Sequence, residues 1–252
     1  MVVICGGGII GTSIAYYLAK RGVVSTVIDR VGIASAASGK AGGFLALDWN
    51  DGSPTQDLTR ASFDLHSSLA AELGVRTDYR RLTCENIVIG RAVARPRQAK
   101  LQGVEWADLS VEASHTMGDE TTIAQVHPKL LCEALWAEAE RAGCSLRVGD
   151  VRGVEITEGR VTGVQVDGKV IKTDKVVIAM GPWSNRASEG LGLPPIHGQK
   201  YHSILMKPER VLSQAVFFQG ASDPEVYPRP DGTVYVTGFP DRPAPVREEP
   251  GK

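Results

Sequence analysis

Within its first eleven residues the chain places Gly6-Gly7-Gly8-Ile9-Ile10-Gly11 between an apolar, β-branched run and a helical pattern. Few folds tolerate that arrangement. A strand that turns directly into a helix needs glycine where the backbone bends tightly and where helix and strand approach closely. Met1 to Gly6 reads as the strand, and Ile10, Ile14, Ala15 and Leu18 form the apolar stripe of the helix. Gly22 stops the helix, and Val23 to Ile28 makes a second strand. Strand, helix and strand in so short a span predict parallel pairing through a right-handed crossover.

The loop fits the pattern G-x-G-x-x-G, and an acid, Asp29, follows eighteen residues beyond Gly11 at the end of the second strand. Each position has a physical task in holding the ADP half of a dinucleotide. Gly6 makes the turn, Gly8 lets the backbone approach a pyrophosphate, and Gly11 lets the helix pack on the sheet. Ile9 and Ile10 open the helix, where free amides and the positive dipole end favour phosphate. Asp29 can accept hydrogen bonds from a ribose diol and repels a 2′-phosphate, although Arg30 beside it leaves some room for one.

A nicotinamide dehydrogenase would continue with another regular strand and helix. Here the next segment is Ser35-Ala36-Ala37-Ser38-Gly39-Lys40-Ala41-Gly42-Gly43-Phe44-Leu45. Small residues let a backbone lie against a flat ligand, and successive amides with two hydroxyls can hold phosphate and ring oxygens. Gly39-Lys40 is not a P-loop, because positions 34 and 41 are both alanine.

The two glycine segments together resemble the FAD-dependent amine oxidoreductases of the D-amino-acid oxidase and sarcosine oxidase superfamily. Residues 37 to 49 are most similar to a poorly characterised eukaryotic branch of it. Val126-His127-Pro128-Lys129-Leu130-Leu131 resembles the family's entry to a long helix. Gly149-Asp150-Val151 resembles the segment whose valine backbone reads adenine, and Ala179-Met180-Gly181-Pro182-Trp183-Ser184 the turn that carries a strand end to the cofactor. His197-Gly198-Gln199 stands where relatives carry an arginine before Gly-Gln, so that arginine's role does not transfer.

The resemblance implies FAD as cofactor and hydride transfer from the carbon beside an amine. Its substrate would be a small amine or amino acid, with O2 or another acceptor taking the electrons. The cofactor-binding positions it implies are Gly6, Gly8, Ile9, Ile10, Gly11, Asp29, Arg30, Ala37, Ser38, Gly39, Lys40, Gly42, Gly43, Phe44, Leu45, Val151, Ala179, Gly181 and Trp183. Two candidates for catalysis are Lys40, whose charge suits a site near the flavin, and Arg229, which can clamp a carboxylate bidentately. A loop lysine is as often simply solvated, and an arginine in Tyr227-Pro228-Arg229-Pro230 more often sits at a hairpin edge. Trp183 is expected to pack over its turn, and His127 to serve the start of the helix. One of Tyr201 and His202 would face a cavity, if either does.

The implied fold class is α/β: a Rossmann-like FAD-binding domain with a parallel sheet and a small antiparallel meander, plus a partial antiparallel α+β substrate domain. Residues 1–75 and 120–195 are assigned to the first domain, and 76–119 and 196–252 to the second. The runs Ser145–Val148, Val151–Ile156, Val161–Val166 and Lys169–Thr173 make up the expected meander. Residues 91–119 show no period. Relatives close the FAD domain with a glycine-rich turn and a last helix, which this chain lacks. The expectation is therefore a fragment or shortened isoform with impaired activity.

Composition narrows the partners. Lys and Arg number 28 against 29 Asp and Glu, which gives no bulk electrostatic case for nucleic acid. Cys5, Cys84, Cys132 and Cys144 form no C-x-x-C pair, so neither a metal site nor a disulfide is expected, and a cytoplasmic location fits reduced thiols. No apolar run is long enough for a membrane-spanning helix. An organellar location stays open if a leader precedes Met1. Two alternatives accompany this reading: a nicotinamide-dependent dehydrogenase, and a non-catalytic protein of flavin-enzyme fold used in assembly or trafficking.

Overall fold

Val3, Ile4 and Cys5 have no solvent exposure, because the strand Val2–Cys5 is paired on both edges and covered on both faces. Its partners, Ser25–Asp29 and Lys175–Ile178, run parallel to it, and Ser145–Val148 extends the sheet beyond Ser25–Asp29. A strand buried on both faces must be apolar at successive positions, which is why this segment shows no alternation.

The computed structural model describes residues 1–90, 111–220 and 223–238. These divide into two compact units, one drawn from Met1–Ala41 and Pro128–Gln199, the other from the described residues of 42–127 and 200–238.

The first unit has three layers. On one face of the parallel sheet, the helices Ile9–Ala19 and Pro128–Arg141 pack Ala15, Trp136 and Ala139 against Ile4 and Val27. On the other face, Val151, Val164 and Val166 of an antiparallel meander meet Val3, Cys5 and Ile28. Burying each such aliphatic side chain contributes roughly 1.5–3 kcal/mol, so the two interfaces fix the sheet firmly. The meander consists of Val151–Thr157, Arg160–Val166 and Lys169–Lys172. Ser145–Val148, read from sequence as its first strand, belongs instead to the parallel sheet. Leu146 packs with the helix-side cluster there, and Thr26 and Ser145 share a hydroxyl hydrogen bond of 3.1 Å.

The second unit holds a six-stranded sheet in the spatial order His202–Met206, Val234–Gly238, Glu225–Pro228, Ala215–Gly220, Cys84–Ile89, Val111–Gly118. A three-stranded sheet places Ile123–Gln125 between Phe44–Ala46 and Arg80–Arg81. The helix Gln56–Leu73 buries Phe63, Leu69 and Leu73. Residues 42–75 and 120–127 thus group with the second unit rather than the first, because Phe44–Ala46 finds its edge partners there. Residues 91–110 of the patternless segment and the last residues, 239–252, lie outside the described residues. No helix among the described residues is long and apolar enough to cross a membrane.

Candidate functional site

The glycine loop works by backbone geometry. Gly6 has φ +112°, and a Cβ there would stand 2.2 Å from the carbonyl oxygen of Ala179. At Gly11 a Cβ would meet the Gly6 oxygen at 1.9 Å, so helix and turn touch directly. Gly8 differs, since its Cβ would meet only the Ser38 hydroxyl, at 3.1 Å. A side chain at Gly8 would therefore press on Ser38 within the wall of the cleft.

Ser38 closes the mouth of the helix Ile9–Ala19: its oxygen accepts the Ile9 amide at 3.0 Å. The first internal bond of the helix runs from the Thr12 amide to the Gly8 oxygen at 2.9 Å, so the Ile10 and Gly11 amides have no carbonyl one turn back to reach. Beneath this turn, the Cys132 thiol hydrogen-bonds the side chains of Thr12 and Ser38, and burial pushes its pKa up to about 11.

Asp29 ends its strand with a carboxylate already at work. One oxygen accepts the Gly7 amide at 2.8 Å, and the other accepts the Val31 and Gly32 amides at 2.9 Å each. Lone-pair capacity is left on the oxygen facing Gly7.

These groups line one open cleft. Gly6, Gly8, Ile9, Ile10, Asp29, Arg30, Ala37, Ser38, Val151, Ala179, Gly181 and Trp183 all contribute to its wall. The guanidinium of Arg30 lies over the Trp183 ring at 5.7 Å, joining two sequence-distant positions at the rim. Trp183, expected both to pack over its turn and to meet the cofactor, walls the cleft. Sequence reading missed Arg186, which adds a second cation. The signal for it was its position one helical turn beyond Trp183.

Other expected positions lie elsewhere. Gly11 packs behind the cleft, and Gly39 and Lys40 end a single helical turn, Ala37–Lys40, with Lys40 exposed. The segment from Ser35 is therefore not a continuous backbone bed: it coils once, because Gly39 lets its turn sit against the Ala34 carbonyl. Gly42, Gly43, Phe44 and Leu45 belong to the second unit. There a Cβ on Gly42 would collide with the Tyr227 ring at 2.5 Å.

Arg229 is not at an exposed hairpin edge. It is buried, its guanidinium lies 5.1 Å from the centre of the Tyr235 ring, and one nitrogen is 3.3 Å from His127 Nε2. Burial lowers its pKa below the ordinary arginine value. His127 does serve the approach to its helix, its amide donating to the Thr77 oxygen at 2.9 Å. Tyr201 and His202 are both exposed. Among the described residues no group of His, Cys, Asp and Glu is arranged to hold a metal.

The cleft suits the ADP half of a dinucleotide. It offers backbone where a side chain would obstruct, unshared amides at a helix start, two arginines near its rim, and an acid at the neighbouring strand tip. Comparison with known proteins decides which dinucleotide. The chain is 32% identical to a Schizosaccharomyces pombe protein named as an oxidoreductase, over 97% of this chain and 72% of the relative. It is 29% identical to an uncharacterized oxidoreductase of Bacillus subtilis, over 76% of this chain but only 57% of that protein. The crystal structure of glycine oxidase from Bacillus cereus superposes with a TM-score of 0.76 at 22% identity, covering 96% of this chain and 73% of that one. The profile of the DAO family, described as FAD dependent oxidoreductase, matches residues 1–251 and sets aside the nicotinamide alternative. The chain belongs to that family of FAD-dependent oxidoreductases.

Proposed function

We propose that the protein oxidises the carbon–nitrogen bond of a small amine or amino acid. FAD, when bound, supplies the hydride acceptor for the carbon that bears the nitrogen. The observation that carries this reading is the single cleft shared by the Gly6–Ile10 turn and the Asp29 carboxylate. Its support from relatives is the family membership and the fold shared with a glycine oxidase.

In this reading the Ile10 amide and the helix dipole hold the diphosphate. Ser38, which accepts from Ile9 and hydrogen-bonds Cys132, keeps the mouth of the helix in shape for the phosphates. Asp29 takes a ribose hydroxyl on the oxygen facing Gly7, the Val151 backbone meets adenine, and Trp183 with Arg30 covers that end. Gly11 and Gly39 shape the cleft from behind. Within the second unit, Arg229 is the residue to receive the carboxylate of an amino-acid substrate. The electrons pass on to O2 or another acceptor.

The test is direct. The protein is reconstituted with FAD, mixed without oxygen with a panel of small amines and of D- and L-amino acids, and followed at the visible flavin band. Bleaching by members of that panel is expected. Stoichiometric FAD that no amine bleaches would overturn the reading and favour a non-catalytic role.

A further inference from the structure

The six-stranded sheet of the second unit carries a patch that the cofactor cleft does not use. Pairing sets Phe217 opposite Asn86 on one neighbouring strand and opposite Glu225 on the other, so the three side chains project from one face in a row. Beside them Phe44 stacks on Tyr227 at 5.3 Å with 17° between the rings. Trp49 lies 5.1 Å from Phe44 and 5.4 Å from Phe217. The Glu225 carboxylate accepts the Tyr227 hydroxyl. Burial, and then that carboxylate, raise the tyrosine's pKa, so its proton stays in place.

Two details show that the patch is not simply core. Trp49 is 41% exposed, so the aromatic cluster reaches solvent. Asn86 is only 1% exposed, yet its Oδ1 has no hydrogen-bond partner among the described residues. A buried acceptor left unsatisfied is costly, and such atoms are rare unless something binds them. Ring faces, a carboxylate and a vacant carbonyl oxygen all present negative potential. Their shared complement is a cation that also donates hydrogen bonds.

We infer that this face recognises the ammonium group of the substrate. Glu225 supplies the countercharge, Asn86 Oδ1 accepts an N–H, and Phe217 and Trp49 offer ring faces. The assignment rests on the amine-oxidising reading only in taking the cation to be the substrate's own.

The probes are benzylammonium chloride and its neutral analogue, benzyl alcohol. The full chain, loaded with FAD and labelled with 5-fluorotryptophan, is titrated by 19F NMR, with the Trp49 resonance assigned through Trp49→Phe. Benzylammonium should move that resonance with an affinity at least about tenfold above the alcohol's, and Glu225→Gln should remove about tenfold of it without altering the melting temperature. If Glu225→Gln fails to fold, Phe217→Leu replaces it, with a weaker but measurable loss expected. A Trp49 resonance that ignores benzylammonium, or answers equally to the alcohol, overturns the inference whether or not amines reduce the flavin. A resonance that titrates as expected while no amine bleaches the flavin leaves the ammonium site standing and removes the oxidase reading instead.

Discussion

The Gly7 amide donates to the Asp29 carboxylate at 2.8 Å, and this bond joins the glycine turn to the tip of the neighbouring strand. The other carboxylate oxygen gathers the Val31 and Gly32 amides, so one side chain organises both loops that wall the cleft. Asp29 therefore acts on the protein before it acts on any ligand.

Replacing Asp29 by Asn should expose that double role. An amide group has one acceptor oxygen, and its NH2 would face a backbone N–H on one side. We expect a stability loss of about 1–3 kcal/mol together with FAD binding weakened about tenfold or more. Thermal melts of the apoprotein and flavin fluorescence titration measure the two effects separately. Unchanged stability with weakened FAD would leave Asp29 a purely ligand-facing residue.

Gly8 and Gly11 should respond differently to alanine. At Gly11 the new methyl would stand 1.9 Å from a carbonyl oxygen, and neither partner is a flexible side chain. We expect about 2 kcal/mol or more of destabilisation. At Gly8 it meets only the Ser38 hydroxyl, so the apoprotein should lose under about 1 kcal/mol while FAD affinity collapses. Denaturant melts with and without FAD distinguish the two variants.

His127 should make stability pH-dependent. Burial first, and the neighbouring Arg229 second, hold its pKa below the usual histidine value. The unfolded chain takes up this proton near pH 6.5 or so, whereas the folded chain resists it until the pH is lower. Between those points the unfolded state binds more protons, so stability rises with pH across that window and is complete above it. Lowering the pH from about 7.5 to about 5 should depress the melting temperature, and His127→Gln should flatten part of that slope.

The cysteines should be inert in the native protein. Burial pushes the thiols of Cys5 and Cys84 up to about 12 and that of Cys132 up to about 11, and all four cysteines are buried. A thiol-reactive dye at mildly alkaline pH should label none of these three rapidly, and all four only after denaturation. Fast labelling of Cys132 would mean that the turn it supports under Ser38 opens readily.

The parts of the site legible in the sequence were those whose physics is local. Gly6, Gly11 and Asp29 could be placed because a tight turn, a close helix contact and a strand tip leave a periodic trace. Ser145–Val148 could not. As an edge strand of mixed character it resembles its meander neighbours, and only its long-range pairing with Ser25–Asp29 decides its sheet. Gly42 was read toward a ligand because nothing nearby in sequence announces the Tyr227 ring that crowds it. The Arg30–Trp183 contact and the row from Asn86 to Glu225 depend on strand register between distant segments, which single-residue patterns do not encode.

The central strand Val2–Cys5 carries its own timing constraint. One of its two edge partners, Lys175–Ile178, leaves the ribosome long after it: at common elongation rates, roughly 10–30 s later. Through that interval the nascent chain presents one of its most water-averse segments half-paired. The close contact between Gly6 and Ala179 therefore forms only once translation has passed Ala179.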